Sequence, residues 1–174
     1  MIMPRGAGQL LLPANPLFIG LSLRLALVAD MVPLGRLVGM PDFLSIVLVF
    51  WGVYQPRRVG IVWAFAMGLA VDVHHGAVLG QHALAYSLLS YGAIAFLHRR
   101  LPGFSLGAQA MHVLPLFVMA HLLSLLARLV VGGMWPGWML LLAPLIEAAL
   151  WPIATMLLLA PQRRAPERDA YRPL

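Results

Sequence analysis

The sequence predicts an all-α membrane protein whose single domain is a bundle of six transmembrane helices. Hydrophobic residues make up 61% of the 174 residues, while charged residues make up only 10%, against about 25% in soluble domains. Six apolar runs approach or exceed the length of about 20 residues that a membrane-spanning helix needs. All twelve basic residues are arginines, and most of them lie in small groups between these runs. We therefore expect most of the chain to contact lipid.

The first two predicted spans are residues 17–32 and 38–54. Because Arg24 interrupts the first run and no small-residue cleavage motif follows it, we interpret this run as a permanent helix and not as a cleaved leader. The second run is short, with Pro41 in its first turn, where the missing N–H costs little. It is the weakest of the six runs, so a five-span chain stays an alternative.

The third predicted span, residues 59–79, carries a small residue or an aspartate at every fourth position, and the fourth span is 82–97. The positions in this pattern are Gly60, Ala64, Gly68, Asp72, Gly76 and Gly80. Small residues at this spacing let a second helix approach closely, and Gly76–Gly80 is itself a GxxxG motif. The pattern leaves two interpretations open, which are close packing within the chain and a docking groove for a helix of a partner protein.

The fifth and sixth predicted spans, residues 106–131 and 139–160, contain prolines. Such prolines are tolerated in a membrane when neighbouring helices satisfy the freed carbonyl groups. The prolines are Pro115, Pro144 and Pro152. They favour a packed bundle, and we expect residues 1–160 to form one domain. Residues 161–174 are polar and rich in proline, which predicts a disordered tail.

The distribution of arginines predicts which side of the membrane each segment faces. With the N-terminus inside, nine arginines lie on the cytoplasmic side and only Arg36 lies outside, as the positive-inside rule requires. The nine are Arg5, Arg57, Arg58, Arg99, Arg100, Arg163, Arg164, Arg168 and Arg172. We therefore expect both termini to be cytoplasmic.

Several ionisable residues fall within or near the predicted spans, where an unpaired charge costs several kcal/mol. Arg24 and Glu147 lie near mid-membrane, and their matching depth predicts an ion pair. In the outer half, Arg128 is predicted to pair with Asp72 or Asp30. Such pairs could fix the helix register alone, or they could belong to a path for protons or substrate, although His121 alone is too little for such a path.

The remaining patterns exclude several classes of function. The chain has no cysteine, which removes disulfides and thiolate chemistry, and it has neither a phosphate-binding loop nor an HExxH motif. We therefore expect no enzyme and no cofactor. His74 and His75 are adjacent and point about 100° apart on a helix, so we expect no metal site there, even with His82 nearby. Arginines scattered between spans do not form the basic face that binds nucleic acid.

Four stretches of the sequence carry a resemblance to a known family. They are P-D-F-L at 41–44, F-W-G-V-Y-Q-P-R-R-V-G at 50–60, and G-L-A-V-D-V-H-H-G-A-V-L-G at 68–80, followed by A-L-A-Y at 83–86. Together they resemble the rod shape-determining protein MreD family in its proteobacterial form. The motif positions are Asp42, Gly68, Asp72, Gly76, Leu79 and Gly80. The histidine pair after Asp72 and the arginine-rich tail depart from the family pattern.

The resemblance implies a non-enzymatic component of the bacterial inner membrane that serves peptidoglycan synthesis during cell elongation. Members of this family work with the bitopic partner MreC, and through it with MreB, RodA and a penicillin-binding transpeptidase. The family is also similar in span number to the substrate-binding subunits of energy-coupling-factor transporters, which implies a six-helix bundle of that type. An alternative function is therefore a small-molecule-binding subunit of a transporter, with Arg24, Asp72 and Glu147 around a central cavity.

Overall fold

The computed structural model describes residues 14–32 and 40–162, and within these ranges the chain is helical with no strand. The six α-helices of the described residues are α1 (Pro16–Met31), α2 (Phe43–Tyr54), α3 (Ile61–His75), α4 (Gln81–Gly92), α5 (Leu106–Val130) and α6 (Leu142–Leu159). The all-α prediction is therefore confirmed. Arg36, residues 38–39 of the second predicted span and residues 163–174 of the predicted tail lie outside the described ranges.

Side-chain caps explain where three of the helices begin. The side chain of Asn15 accepts a hydrogen bond from the backbone N–H of Leu17, next to Pro16 in the first turn of α1. Asp42 caps α2 in the same way, and Ser105 caps α5. Each cap satisfies one of the N–H groups that the first turn of a helix leaves without a partner.

The predicted span 59–79 is too long at its C-terminal end, because α3 ends at His75. Gly76 follows with φ of +60°, a left-handed conformation that glycine adopts without a steric penalty. The predicted span 82–97 corresponds to α4 and a π-helical turn at Ala93–Leu97 that continues it. A short 3-10 turn at Trp138–Leu141 leads into α6.

The core of the molecule is built around α2. Every residue from Leu44 to Val53 except Val47 is buried, as expected for a helix that is hydrophobic on all sides. The largest buried side chains around it are Phe50, Trp51, Phe117 and Trp151. Both buried indoles have partners, because Trp51 Nε1 donates to Ser22 Oγ at 2.9 Å and Trp151 Nε1 donates to Gln109 Oε1 at 3.1 Å.

Contacts at the two ends of the bundle show that the helices alternate in direction. At one end, Arg58 reaches Ala14 before α1, and His98 after α4 reaches Val53 at the end of α2. At the other end, Asp30 near the C-terminus of α1 accepts from the first residue of α2. Consecutive helices therefore run antiparallel, as they do in a chain that crosses a membrane several times.

The outer surface of the bundle is apolar. On α1 alone, four large hydrophobic side chains are more than half exposed, namely Leu17, Leu21, Leu25 and Val28. Within the described residues, two helical segments are long and apolar enough to cross a membrane, Leu106–Val130 and Trp138–Gln162. Helices α2 and α3 are apolar but shorter. Exposed apolar surface of this extent fits a lipid environment.

Candidate functional site

A cavity of about 980 Å³ opens where the C-terminal ends of α1, α3 and α5 meet the N-terminal ends of α2 and α4 and the turn before α6. Carboxyl groups and imidazoles line much of this cavity. Its ionisable lining residues are Asp30, Asp42, His74, His75, His82, Tyr86, His121 and Arg128. We call it the carboxylate–histidine cavity.

Asp72 lies beside this cavity, fully buried at the end of α3. Its Oδ2 accepts from the backbone N–H groups of Gly80 at 2.9 Å and Ala83 at 3.3 Å. Its Oδ1 accepts from the backbone N–H of His82 at 2.8 Å and lies 2.7 Å from the Nδ1 of the same residue. The carboxylate of α3 therefore caps the N-terminus of α4, where the helix dipole favours a negative charge.

Asp30 and Asp42 both cap the N-terminus of α2. Asp30 accepts from the N–H groups of Phe43 at 2.9 Å and Leu44 at 2.8 Å. Asp42 accepts from the N–H of Ser45 at 2.8 Å and from the hydroxyl of Tyr86 at 2.5 Å. Two carboxylates from separate helices thus meet at the start of the most buried helix.

Glu147 of α6 completes this group of acids. It is fully buried, and its Oε1 accepts from the backbone N–H of Asp42 at 2.9 Å and lies 3.3 Å from His121 Nε2. Its Oε2 has no hydrogen-bond partner among the described residues. The backbone of Asp42 and the ring of His121 therefore join α6 to α2 and α5 at this end of the bundle.

The histidines line one side of the cavity, where they lie close to residues of neighbouring helices. The rings of His75 and His82 are 5.8 Å apart, and His74 Nε2 lies 3.1 Å from the carbonyl oxygen of Met31. Among the described residues, no group of three or more histidines and acids has the geometry to hold a metal ion. These rings instead connect α3 to α1 and α4.

The predicted charge pairs are wrong. Arg24 does not reach Glu147, and Arg128 makes no ion pair with Asp72 or Asp30, although it lines the cavity. Both arginines are exposed on the surface of the bundle. The acids bind backbone N–H groups, imidazoles and a phenol instead, which satisfy a carboxylate without a second buried charge.

The glycines of the small-residue pattern divide into two kinds. Gly68 lies against α4, where an added Cβ would come within 2.4 Å of Ala83 Cα. This contact agrees with close packing inside the chain. Gly76 and Gly80 have open space around them and positive φ angles of +60° and +99°, so the pair forms a turn, and its interpretation as a helical GxxxG packing motif is wrong. Leu79 in this turn is 69% exposed.

The sequence did not predict a role for two residues of the site, Tyr86 and His121. Tyr86 belonged to a stretch that resembled the family, but nothing in the sequence showed that its hydroxyl reaches Asp42. His121 is isolated in the sequence, and its partner Glu147 is 26 residues away on α6. The signal that could have found Tyr86 is the helical spacing of Ala83 and Tyr86, which places both on the side of α4 that faces α3 and α2.

Comparison with known proteins identifies the family. The family of rod shape-determining protein MreD matches residues 10–160. The rod shape-determining protein MreD of Haemophilus influenzae is 31% identical over 126 residues, which cover 72% of this chain and 77% of the relative. No solved structure matches, so the likeness to energy-coupling-factor transporter subunits stays a prediction. The chain belongs to the MreD family of rod shape-determining proteins.

Proposed function

We propose that the six helices all span the bacterial inner membrane, with both termini in the cytoplasm and the carboxylate–histidine cavity open to the periplasm. Two observations support this topology. The helices alternate in direction, and the arginine pairs at 57–58 and 99–100 lie in the connections at the end opposite the cavity. Arginines favour the cytoplasmic side of a span. The spanning bundle over residues 1–160 and a disordered tail over 161–174 are part of this proposal.

Within this topology, we propose that the protein is a non-enzymatic scaffold of the peptidoglycan synthesis machinery for cell elongation. It maintains rod shape by binding MreC, and through MreC it acts with MreB, RodA and a penicillin-binding transpeptidase. Membership of the rod shape-determining family supports the role in cell shape. The observation that supports the binding step is the open cavity at the end of the bundle opposite the arginine pairs. In the proposed topology this end faces the periplasm, where the single helix of MreC would leave the bilayer.

The turn between α3 and α4 is the part of the cavity rim best suited to hold a partner. Asp72 fixes this turn through the backbone of Gly80 and His82. The fixed turn presents two apolar side chains outward, Val78 at 38% and Leu79 at 69% exposure. A rigid apolar projection beside a polar recess offers both contact area and orientation at little entropic cost.

The test combines cell shape with recovery of MreC. In a rod-shaped host depleted of its own MreD, Leu79→Gln should lower co-purified MreC by about tenfold, as the loss of a buried leucine contact predicts, and cells should become round. The matched control is Leu84→Gln, which changes an equally apolar, 55% exposed side chain on α4 away from the turn. Normal rods and normal MreC recovery with Leu79→Gln, at wild-type protein levels, would rule out this docking surface.

A further inference from the structure

A second recess, of about 390 Å³, lies between α1 and α3 at the end of the bundle opposite the carboxylate–histidine cavity. Apolar side chains and two arginines line it. The lining residues are Pro16, Ile19, Gly20, Leu23, Arg24, Arg58, Val59, Trp63 and Met67. We call it the α1–α3 groove.

The charge of this groove is unbalanced. Arg24 and Arg58 are both exposed, and neither makes an ion pair within the described residues. All four acids of the described residues belong to the opposite end of the bundle, around the carboxylate–histidine cavity. Two guanidinium groups beside lipid therefore lack a carboxylate from the described chain, which makes the groove complementary to an anion.

The geometry of the groove suits a molecule with an anionic head and an apolar chain. Arg58 is anchored at its mouth, because Nη1 donates to the carbonyl oxygen of Ala14 at 3.1 Å, and this bond uses one of five N–H donors. Trp63 is 53% exposed, as is typical of tryptophans at the level of lipid headgroups. Arg24 lies about 12 Å further along α1 than Pro16. Because side chains leave a helix tilted toward its N-terminus, the exposed side chain of Arg24 is directed toward the end of α1 where Arg58 lies.

The floor of the groove is open to an acyl chain. A Cβ added at Gly20 would meet no atom within 4 Å, and Leu23 and Met67 supply apolar walls. We propose that the α1–α3 groove binds an anionic phospholipid of the cytoplasmic leaflet, with its phosphate between Arg24 and Arg58 and one acyl chain along Gly20 and Met67. Guanidinium groups favour phosphate because their N–H donors match its oxygens in pairs. The choice of leaflet rests on the topology proposed above.

Native mass spectrometry of the full chain in detergent tests the proposal, with phosphatidylglycerol and phosphatidylcholine of identical acyl chains as probes. Phosphatidylglycerol should bind the wild type about tenfold more tightly. Arg24→Gln and Arg58→Gln should each lower that affinity about fivefold, the usual effect of one arginine near an anionic lipid. The matched control is Arg57→Gln, an exposed neighbour outside the groove, which should leave the affinity unchanged.

A second pair of variants tests the position of the acyl chain. Gly20→Leu should fill the groove and weaken binding of both lipids, whereas Gly107→Leu, on α5 with equally open space, should not. Equal affinity for the two lipids in the wild type, or equal losses with Arg57→Gln and Arg58→Gln, would overturn the proposal. None of these measurements includes MreC, so this proposal and the scaffold proposal fail separately.

Discussion

At the scale of single residues, the acids of this protein are held by hydrogen-bond donors that the sequence does not display. Asp72 belongs to the small-residue pattern of the third predicted span, and it is fully buried. Its predicted partner was an arginine, but its donors are three backbone N–H groups and one imidazole. Pairing charges by depth fails here because the N-terminal ends of α2 and α4 already supply partial positive charge, and those ends become visible only when the chain is folded.

This arrangement predicts a clear difference between two substitutions. In Asp72→Asn, one carboxylate oxygen is replaced by an NH₂ group, which is a donor and would face the backbone N–H donors that this oxygen accepts from. This mismatch should lower the free energy of unfolding by about 1–3 kcal/mol. His82→Gln leaves the three backbone bonds in place and should cost less. Thermal unfolding of both variants in the same detergent, followed by tryptophan fluorescence, measures the difference. An equal loss from both would show that the imidazole, and not the helix cap, holds the carboxylate.

At the scale of helices, the apolar runs predicted where each element lies but not which element is central. The run at 38–54 was the weakest of the six predicted spans because it is short. In the structure, α2, which lies within that run, is the most buried helix. Other helices surround it, so it is hydrophobic on all sides and has no polar face. The end of α3 was misplaced for a related reason. Small residues at every fourth position are compatible with helix packing and with a turn, and among the glycines of this pattern only Gly68 lies against a second helix.

The glycines predict a graded response to added methyl groups. Gly68→Ala brings a Cβ within 2.4 Å of the backbone of Ala83, so α3 and α4 must separate, and overpacking of this kind costs about 1–3 kcal/mol. Gly92→Ala meets only the side chain of Leu116, which can rotate, so its cost should be smaller. Gly20→Ala meets nothing within 4 Å and serves as the control. The thermal unfolding midpoint in detergent should therefore be lowest for Gly68→Ala, intermediate for Gly92→Ala and highest for Gly20→Ala. A Gly68→Ala protein as stable as Gly20→Ala would contradict the observed helix contact.

At the scale of the whole molecule, charge is separated along the bundle axis. The described acids gather around the carboxylate–histidine cavity, while the paired arginines at 57–58 and 99–100 lie in the connections at the other end. The sequence alone predicted the basic end, because arginines between apolar runs can be counted without a structure. The acidic end was not predicted as one site, since its members come from four different helices and meet only through the fold.

Reporter fusions check the membrane orientation that this separation implies. Alkaline phosphatase fused in the connection between α5 and α6, after Gly133, should be active, because the enzyme folds only in the periplasm. The same reporter after Arg100 or after Leu174 should be inactive, while green fluorescent protein at those positions should fluoresce. The positive-inside rule gives the physical reason. A reversed pattern would contradict the topology, and an active reporter at only one of the two basic positions would point to an odd number of spans.

The short helices have a consequence for the bilayer itself. Helix α1, with 16 residues, and α3, with 15 residues, are about 24 Å and 22 Å long, whereas the hydrocarbon core of a bilayer is about 30 Å thick. Helix α5, with 25 residues, exceeds that thickness. In the proposed topology, we expect the bilayer to be thinner beside the short helices α1 and α3 than beside α5, which can tilt to fit. The bilayer around the protein would then be thinned on one side only. Other proteins that favour a thin bilayer would be drawn to that side.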